Sequence, residues 1–85
     1  MDVSTIDIKD RIRQFVTTTF YVPDPAQVTD TTSFLDTGIV DSTGVLEIIA
    51  FLQSEFGIEV EDNEILPENL DSVAAIAAYI SRKQP

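Results

Sequence analysis

The sequence has 85 residues, 15 acidic and 5 basic side chains, and a net charge of −10 at pH 7. This length predicts one small soluble domain over residues 1–85, with a single hydrophobic core. Nucleic acids and anionic lipids attract Lys and Arg, so the charge predicts no nucleic-acid or membrane partner. Because the sequence has no Cys and no His, it excludes disulfides, thiolate or imidazole metal ligands and the usual nucleophile–base pairs.

The charges are unevenly distributed along the chain. All the bases lie near its ends: Lys9, Arg11, Arg13, Arg82 and Lys83. The long segment between them is acidic, and such a surface attracts basic partner proteins, although solubility alone also explains it. No apolar run approaches the ~20 residues that span a bilayer, and the first residues do not resemble a signal peptide. We therefore expect a cytoplasmic protein.

Helical periodicity begins near the N-terminus. It predicts a helix from Ser4, a favourable N-cap, to about Tyr21, because Pro23 disfavours a helical conformation at the residue before it. The apolar side chains of this segment fall on one helix face: Ile8, Ile12, Phe15, Val16 and Phe20.

The segment 21–41 is rich in Thr, Asp and Pro and has few apolar side chains. A structureless loop of this length is uncommon inside a compact domain. We therefore expect a packed loop in which Phe34 and Leu35 anchor a short helical turn on the core.

A second helix is predicted from its N-cap, Asp41, to Phe56, where Gly57 suits the left-handed conformation after a helix end. One apolar stripe consists of Val45, Ile48, Ile49, Leu52 and Phe56. A second edge consists of Thr43, Leu46 and Ala50, extended toward Gln53. A helix that is apolar on two sides is either deeply buried or binds a partner, and full burial is difficult in so short a chain.

The remaining sequence predicts little further regular structure before the last helix. Residues 58–60 alternate in hydropathy and are predicted to form an extended loop with both apolar side chains turned inward. Residues 64–69, divided by a proline, form at best a short helix that brings Ile65 and Leu70 to the core.

The last helix is predicted to start at Asp71 as its N-cap and to end with Arg82 and Lys83, where cations suit the helix dipole. Its inward face consists of Val73, Ile76, Ala77 and Ile80. The sum is an all-α fold, a small four-helix bundle of three main helices and one short helix, with a long packed loop between helices 1 and 2.

Asp41 and Ser42 stand at the start of the helix with two apolar edges. A hydroxyl there lies beside free backbone N–H groups, where the helix dipole favours a phosphate ester on that oxygen. Asp and Ser are also enriched at helix starts for capping alone, so the dipeptide by itself leaves both interpretations open. Asp71 and Ser72 repeat the dipeptide before a run of small residues, and there we expect capping only.

Four stretches of sequence form a recognisable pattern. They are residues 34–42 (Phe-Leu-Asp-Thr-Gly-Ile-Val-Asp-Ser), residues 46–49 with 55–58 (Leu-Glu-Ile-Ile and Glu-Phe-Gly-Ile), and residues 70–76 (Leu-Asp-Ser-Val-Ala-Ala-Ile). Together with the first helix they cover nearly the whole chain, which resembles an acyl carrier protein of the phosphopantetheine-dependent type.

This resemblance implies a four-helix bundle in which a separate phosphopantetheinyl transferase attaches 4′-phosphopantetheine from coenzyme A to Ser42, next to Asp41. The thiol of that group would carry acyl or aminoacyl cargo as a thioester, so the chain itself would be a non-catalytic carrier subunit with no metal. The second helix edge would dock partner enzymes through Thr43, Leu46, Glu47 and Ala50. Downstream partners would be acyl-processing enzymes, and we expect a monomer, because this edge is narrow for a permanent dimer.

The details of the motif favour one type of carrier. Two residues separate Gly38 from Asp41, and Thr43 and Gly44 follow the serine, which is closer to free-standing D-alanyl or aminoacyl carriers charged by adenylate-forming ligases. Gly44 also lowers helix propensity by about 0.5–1 kcal/mol relative to Ala, which predicts a weak helix start. The alternatives are a fatty-acid synthesis acyl carrier and an unmodified acidic helical adaptor.

The cargo and the pathway are not encoded in these patterns. Five apolar residues are candidates to line a space for an acyl chain, although each also suits an ordinary core position: Leu46, Ile49, Leu52, Ile58 and Ile76.

Overall fold

The computed structural model describes residues 3–20, 22 and 24–83. The long helices are α1 (Val3–Thr19), α3 (Ser42–Phe56) and α5 (Val73–Lys83), and two four-residue helices are α2 (Phe34–Thr37) and α4 (Pro67–Leu70). Short 3₁₀ turns lie at Pro25–Gln27 and Asp62–Glu64. The described part of the chain contains no strand, and the predicted all-α helical bundle is confirmed.

Helix α1 starts earlier than predicted. It already includes Val3, so Ser4 lies within the helix and the prediction of Ser4 as its N-cap is wrong. Serine has only moderately lower helix propensity than Ala, so a helix can run through it. The helix ends at Thr19, and the predicted end residue Tyr21 and the breaking residue Pro23 lie outside the described residues.

Both ends of α3 are where the sequence predicts them. The Asp41 side chain accepts a hydrogen bond from the Gly44 N–H at 2.7 Å, which makes it the N-cap. Gly57 follows the last turn with a φ of 65°, in the left-handed region that glycine adopts without strain. The interior stripe of α3 is also correct, since Ile48 and Leu52 are fully buried.

The start of α5 differs from the prediction. The Ser72 hydroxyl accepts a hydrogen bond from the Ala75 N–H at 3.1 Å and so caps this helix in place of Asp71. Asp71 follows the last residue of α4, and its side chain bonds to the beginning of α2 instead. In an Asp-Ser pair either residue can cap the following helix. Here the Asp71 carboxylate accepts a hydrogen bond from an N–H group at the start of α2, so Ser72 caps α5.

The long connection between α1 and α3 is packed on the core, as predicted, through Val28, Phe34 and Val40, which are all almost fully buried. Leu35 was expected to be a second anchor, and this expectation is wrong because its side chain is 43% exposed. A helix of one turn can direct only one of two adjacent side chains inward, and here that residue is Phe34.

The core lies between α1, α3 and α5 and is closed by the connections. Its buried apolar side chains are Ile12, Val16, Val28, Phe34, Val40, Ile48, Leu52, Ile58, Leu70, Val73, Ile76, Ala77, Tyr79 and Ile80. Val60 packs against this cluster, and the inward orientation predicted for residues 58–60 is confirmed. Leu70 reaches the core as predicted, but Ile65 does not, since it is 37% exposed.

Candidate functional site

Ser42 is the first residue of α3, and its side chain is exposed. The preceding residue, Asp41, is in an extended conformation and ends the approach to the helix. At this end of a helix several N–H groups have no intrahelical acceptor, and the dipole is positive. The hydroxyl of Ser42 therefore lies where a negatively charged ester on its oxygen would be stabilised.

The connection from α2 to α3 fixes the place of this serine. Gly38 ends α2 with a φ of 77°, and its N–H donates to the Leu35 carbonyl at 3.2 Å. The Val40 N–H donates to the Phe34 carbonyl at 3.2 Å, and the Val40 side chain is buried. Because Val40 is held in the core, the next two residues emerge at the surface.

Gly44 has a packing role that helix propensity does not indicate. A Cβ at this position would lie 2.8 Å from the Phe20 ring and 2.9 Å from a methyl group of Val40. Gly44 is buried, so the absence of a side chain allows α3 to approach the end of α1 closely. The expectation of a weak helix start from propensity alone therefore overlooks a close contact.

An apolar groove of about 240 Å³ runs beside Ser42, between α2, the first turn of α3 and the segment around α4. Its lining residues are Phe34, Leu35, Val40, Ser42, Val45, Ile65, Leu66, Pro67, Leu70 and Asp71. Of these described residues none is basic, and the two polar ones are Ser42 and Asp71. The groove is therefore suited to contact an apolar chain that starts at the serine.

The groove is not among the features predicted from the sequence. Leu35, Ile65 and Leu66 line it and are 37–43% exposed, an unusual state for large apolar side chains. The available sequence signal was Ile65 and Leu66 standing together before Pro67, outside any helical stripe. The five candidates for lining an acyl-chain space are elsewhere: Leu46 is exposed, Ile49 is half-buried, and Leu52, Ile58 and Ile76 are in the core.

The predicted docking residues lie together on the exposed side of α3. Thr43, Leu46, Glu47 and Ala50 are all exposed, and Leu46 is 63% accessible. They follow Ser42 at helical spacing, so they and the serine share one surface. This surface is apolar at Leu46 and acidic at Glu47.

The basic side chains are engaged elsewhere, on α1 and α5. Lys9 and Arg13 both bond to the carboxylate of Asp30, and the hydrogen bond from Lys9 is the main reason that the pKa of Asp30 is lowered. Arg11 pairs with Glu55 at 2.8 Å. Among the described residues, none of these ion pairs involves Asp41 or Glu47, the acidic residues near Ser42 in the sequence.

A second ionic cluster ties the turn before α4 to α5. The Lys83 ammonium donates to Glu64 at 2.9 Å and lowers the pKa of that carboxyl group. The Tyr79 hydroxyl donates to the same oxygen at 3.1 Å. The pKa of Tyr79 is raised to about 12, mainly by burial of the hydroxyl and secondly by this hydrogen bond. The cluster supports the chain just before Ile65 and Leu66 and so holds one wall of the groove.

Two further properties of the described residues bear on function. No group of three or more potential ligand side chains among them is placed to hold a metal ion. Within the same residues, no helix is both long and apolar enough to cross a membrane.

Comparison of the sequence with known proteins gives one family. The family model "Phosphopantetheine attachment site" matches residues 10–80. The acyl carrier protein of Zymomonas mobilis is 31% identical over 87% of this chain and 91% of its own, and that of Lactobacillus acidophilus is 30% identical over 96% and 99%. A solved chain described as "Crystal structure of FAD-dependent dehydrogenase" superposes with a TM-score of 0.71 and 26% identity, covering 81% of this chain and 97% of that chain.

Members of this family are non-catalytic carriers with a covalently attached 4′-phosphopantetheine, and they interact with a phosphopantetheinyl transferase and with acyl-processing enzymes. The structure fits such a group, because an exposed hydroxyl at a helix N-terminus lies at the edge of an open apolar groove. The extent of the match, together with this fit, shows that the chain belongs to the family of phosphopantetheine-binding acyl carrier proteins.

Proposed function

We propose that Ser42 is the attachment residue for 4′-phosphopantetheine and that this chain presents acyl or aminoacyl groups to partner enzymes on that arm. The observation that carries the proposal is the exposed Ser42 hydroxyl, at the first position of α3 and on the edge of the apolar groove. Two other serine hydroxyls are engaged within the fold: Ser72 accepts from Ala75, and Ser33 donates to Asp71.

Each part of the site has a separate task in this proposal. The Ser42 oxygen forms the ester, and the N-terminal end of α3 stabilises the negative phosphate beside it. Asp41 caps the helix and so fixes the first turn. When attached, 4′-phosphopantetheine supplies a thiol that holds the cargo as a thioester. The groove beside Ser42 provides an apolar surface for the arm or its cargo.

The exposed side of α3 is proposed as the docking surface, with Thr43, Leu46, Glu47 and Ala50 as its contact residues. Leu46 offers apolar area at the centre, and the surrounding carboxylates attract a basic rim on the partner. The partners proposed are the transferase, a ligase that charges the arm and the enzymes that act on the cargo.

The charging enzyme is proposed to be an adenylate-forming ligase in a specialised biosynthetic pathway. The sequence Gly-Ile-Val-Asp-Ser-Thr-Gly around Ser42 supports this type. The second candidate is a fatty-acid synthesis carrier; the named relatives are described simply as acyl carrier proteins, with no aminoacyl cargo in their names. One domain over residues 1–85, a monomeric state and a cytoplasmic location stay predictions.

The attachment proposal is tested by intact mass after incubation with coenzyme A and a broad-specificity phosphopantetheinyl transferase. Wild-type protein and Ser72→Ala should each gain one phosphopantetheine, whereas Ser42→Ala should gain none and keep its helical circular-dichroism spectrum. Ser72→Ala is the matched control because it changes the other Asp-Ser pair. No gain by the wild type, with an active control carrier beside it, would favour the unmodified adaptor.

The charging proposal is tested on the modified protein. An adenylate-forming ligase with ATP and small amino acids should add an aminoacyl mass that hydroxylamine removes, as expected of a thioester. Efficient loading by fatty-acid synthesis enzymes instead, with no aminoacyl loading, would favour the second candidate.

A further inference from the structure

Asp71 makes three hydrogen bonds to the start of α2. Its backbone carbonyl accepts from the Phe34 N–H at 2.8 Å, and its carboxylate accepts from the Leu35 N–H at 2.8 Å. The other carboxylate oxygen accepts from the Ser33 hydroxyl. That hydroxyl also accepts from the Asp36 N–H at 3.2 Å. The N–H groups of the first turn of α2 are therefore satisfied by Asp71 and Ser33.

This contact determines whether α2 has a defined position. A helix of four residues has almost no stability of its own, because nucleation is unfavourable and few bonds follow it. Its fixed orientation must come from contacts outside the helix, and Asp71 supplies them from the junction between α4 and α5. Phe34, buried at 1% exposure, is the apolar part of the same anchor.

The position of α2 affects the position of Ser42. The carbonyl of Phe34 accepts the Val40 N–H, and Asp41 and Ser42 follow Val40 directly. Phe34, Leu35 and Val40 also form the groove wall that faces the segment around α4. A shift at the start of α2 therefore moves both the wall of the groove and the segment that leads into Ser42.

We propose that Asp71 is a positioning residue for the modification of Ser42; this inference rests on the function proposed above. In that reaction the Ser42 oxygen forms a bond to the phosphorus that carries pantetheine, and the pyrophosphate bond of coenzyme A breaks. The serine proton passes to a base of the transferase, and adenosine 3′,5′-bisphosphate leaves with the electron pair. Asp71 touches none of these atoms and acts through α2.

The test compares steady-state kinetics of the transferase with wild-type protein, Asp71→Ala, Asp71→Asn and Ser72→Ala as substrates. Ser72→Ala is the matched control, since it removes the neighbouring cap of α5 and no contact with α2. All four are assayed well below their unfolding midpoints. Partial unfolding of a substrate lowers its effective concentration and raises KM, whereas a misplaced serine lowers kcat, so the two effects are separable.

For Asp71→Ala we expect kcat to fall by about tenfold with KM little changed, because a displacement of about 1 Å at a reacting group can reduce a rate by up to ~10²-fold. Asp71→Asn should recover most of the rate, since its amide oxygen can still accept the Leu35 N–H. Ser72→Ala should match the wild-type kcat. The amide of Leu35 should also lose hydrogen-exchange protection in Asp71→Ala.

If Asp71→Ala is modified with the wild-type kcat, or if only its KM rises, the positioning role is wrong while the attachment proposal stands. If the wild type takes up no phosphopantetheine, both proposals fall. Should Asp71→Ala be too unstable to assay, Ser33→Ala removes one of the two hydrogen bonds to the Asp71 carboxylate, together with the bond from the Asp36 N–H. It should then show the fall in kcat, and a wild-type kcat there would overturn the inference.

Discussion

At the scale of single residues, the same dipeptide has two outcomes in this chain. Ser42 follows Asp41 and is exposed at the groove, whereas Ser72 follows Asp71 and its hydroxyl caps α5. The difference arises from the preceding residue: Asp41 caps its own helix, and Asp71 is drawn away by α2. The exposure of the serine in an Asp-Ser pair therefore depends on whether the aspartate caps the helix that follows it.

Gly44 gives a stability prediction at this scale. In Gly44→Ala the new methyl group would overlap the Phe20 ring and Val40, and overpacking of this kind costs about 1–3 kcal/mol. The higher helix propensity of Ala offsets up to about 1 kcal/mol of this. We expect a net loss in the free energy of unfolding, measured by urea denaturation. Thr43→Ala, at the exposed neighbouring position, is the control, and a stabilised Gly44→Ala would contradict the close packing seen here.

At the scale of elements, helix α3 depends on its cap as well as on its buried stripe. Asp41→Ala removes the acceptor for the Gly44 N–H and should lower the free energy of unfolding by about 0.5–2 kcal/mol. Asp41→Asn keeps a side-chain acceptor and should stay close to the wild type. Thermal or urea unfolding measures both variants. Equal loss in the two would show that the carboxylate charge, and not the hydrogen bond, stabilises this helix start.

The elements also show which parts of a fold can be predicted from a sequence. The bounds of α3 were predictable because a cap, a periodic apolar stripe and a terminal glycine lie within one local segment. The position of helix α2 depends on Asp71, which is distant in the sequence. The outward orientation of Leu35 could therefore not be predicted from the neighbouring residues. The groove was missed for the same reason, since its walls come from three separate segments. The exposed position of Ser42 at the start of α3 was predictable from the Asp41 cap, but its neighbours across the groove were not.

At the scale of the whole molecule, charge is divided between two regions. The bases of α1 and Lys83 of α5 are paired with carboxylates such as Asp30, Glu55 and Glu64, so they tie the bundle together. The exposed surface of α3 near Ser42 is acidic and apolar, which suits a basic partner. With a net charge of −10, association with such a partner should weaken as salt screens the attraction.

Asp30 gives a pH-dependent prediction at this scale. Lys9 and Arg13 lower its pKa in the folded protein below the ordinary value of 3.8, so its contribution to stability is present above that value. The contribution is lost as the pH falls through the folded-state pKa. Wild type should therefore be more stable than Asp30→Asn at neutral pH, and the difference should shrink as the pH falls below 3.8 and through the folded-state pKa. A difference that grows on acidification would contradict the assigned ion pairs; urea unfolding across this range measures it.

The central claim is that the arm is attached at one particular oxygen, on Ser42. The most direct measurement is fragment-ion mass spectrometry of the modified wild-type protein, which locates the added group along the sequence. We expect phosphopantetheine on Ser42 alone, and fragments that contain Ser72 or Thr43 but not Ser42 should be unmodified. A group located on Ser72, on Thr43 or on any other residue would contradict it.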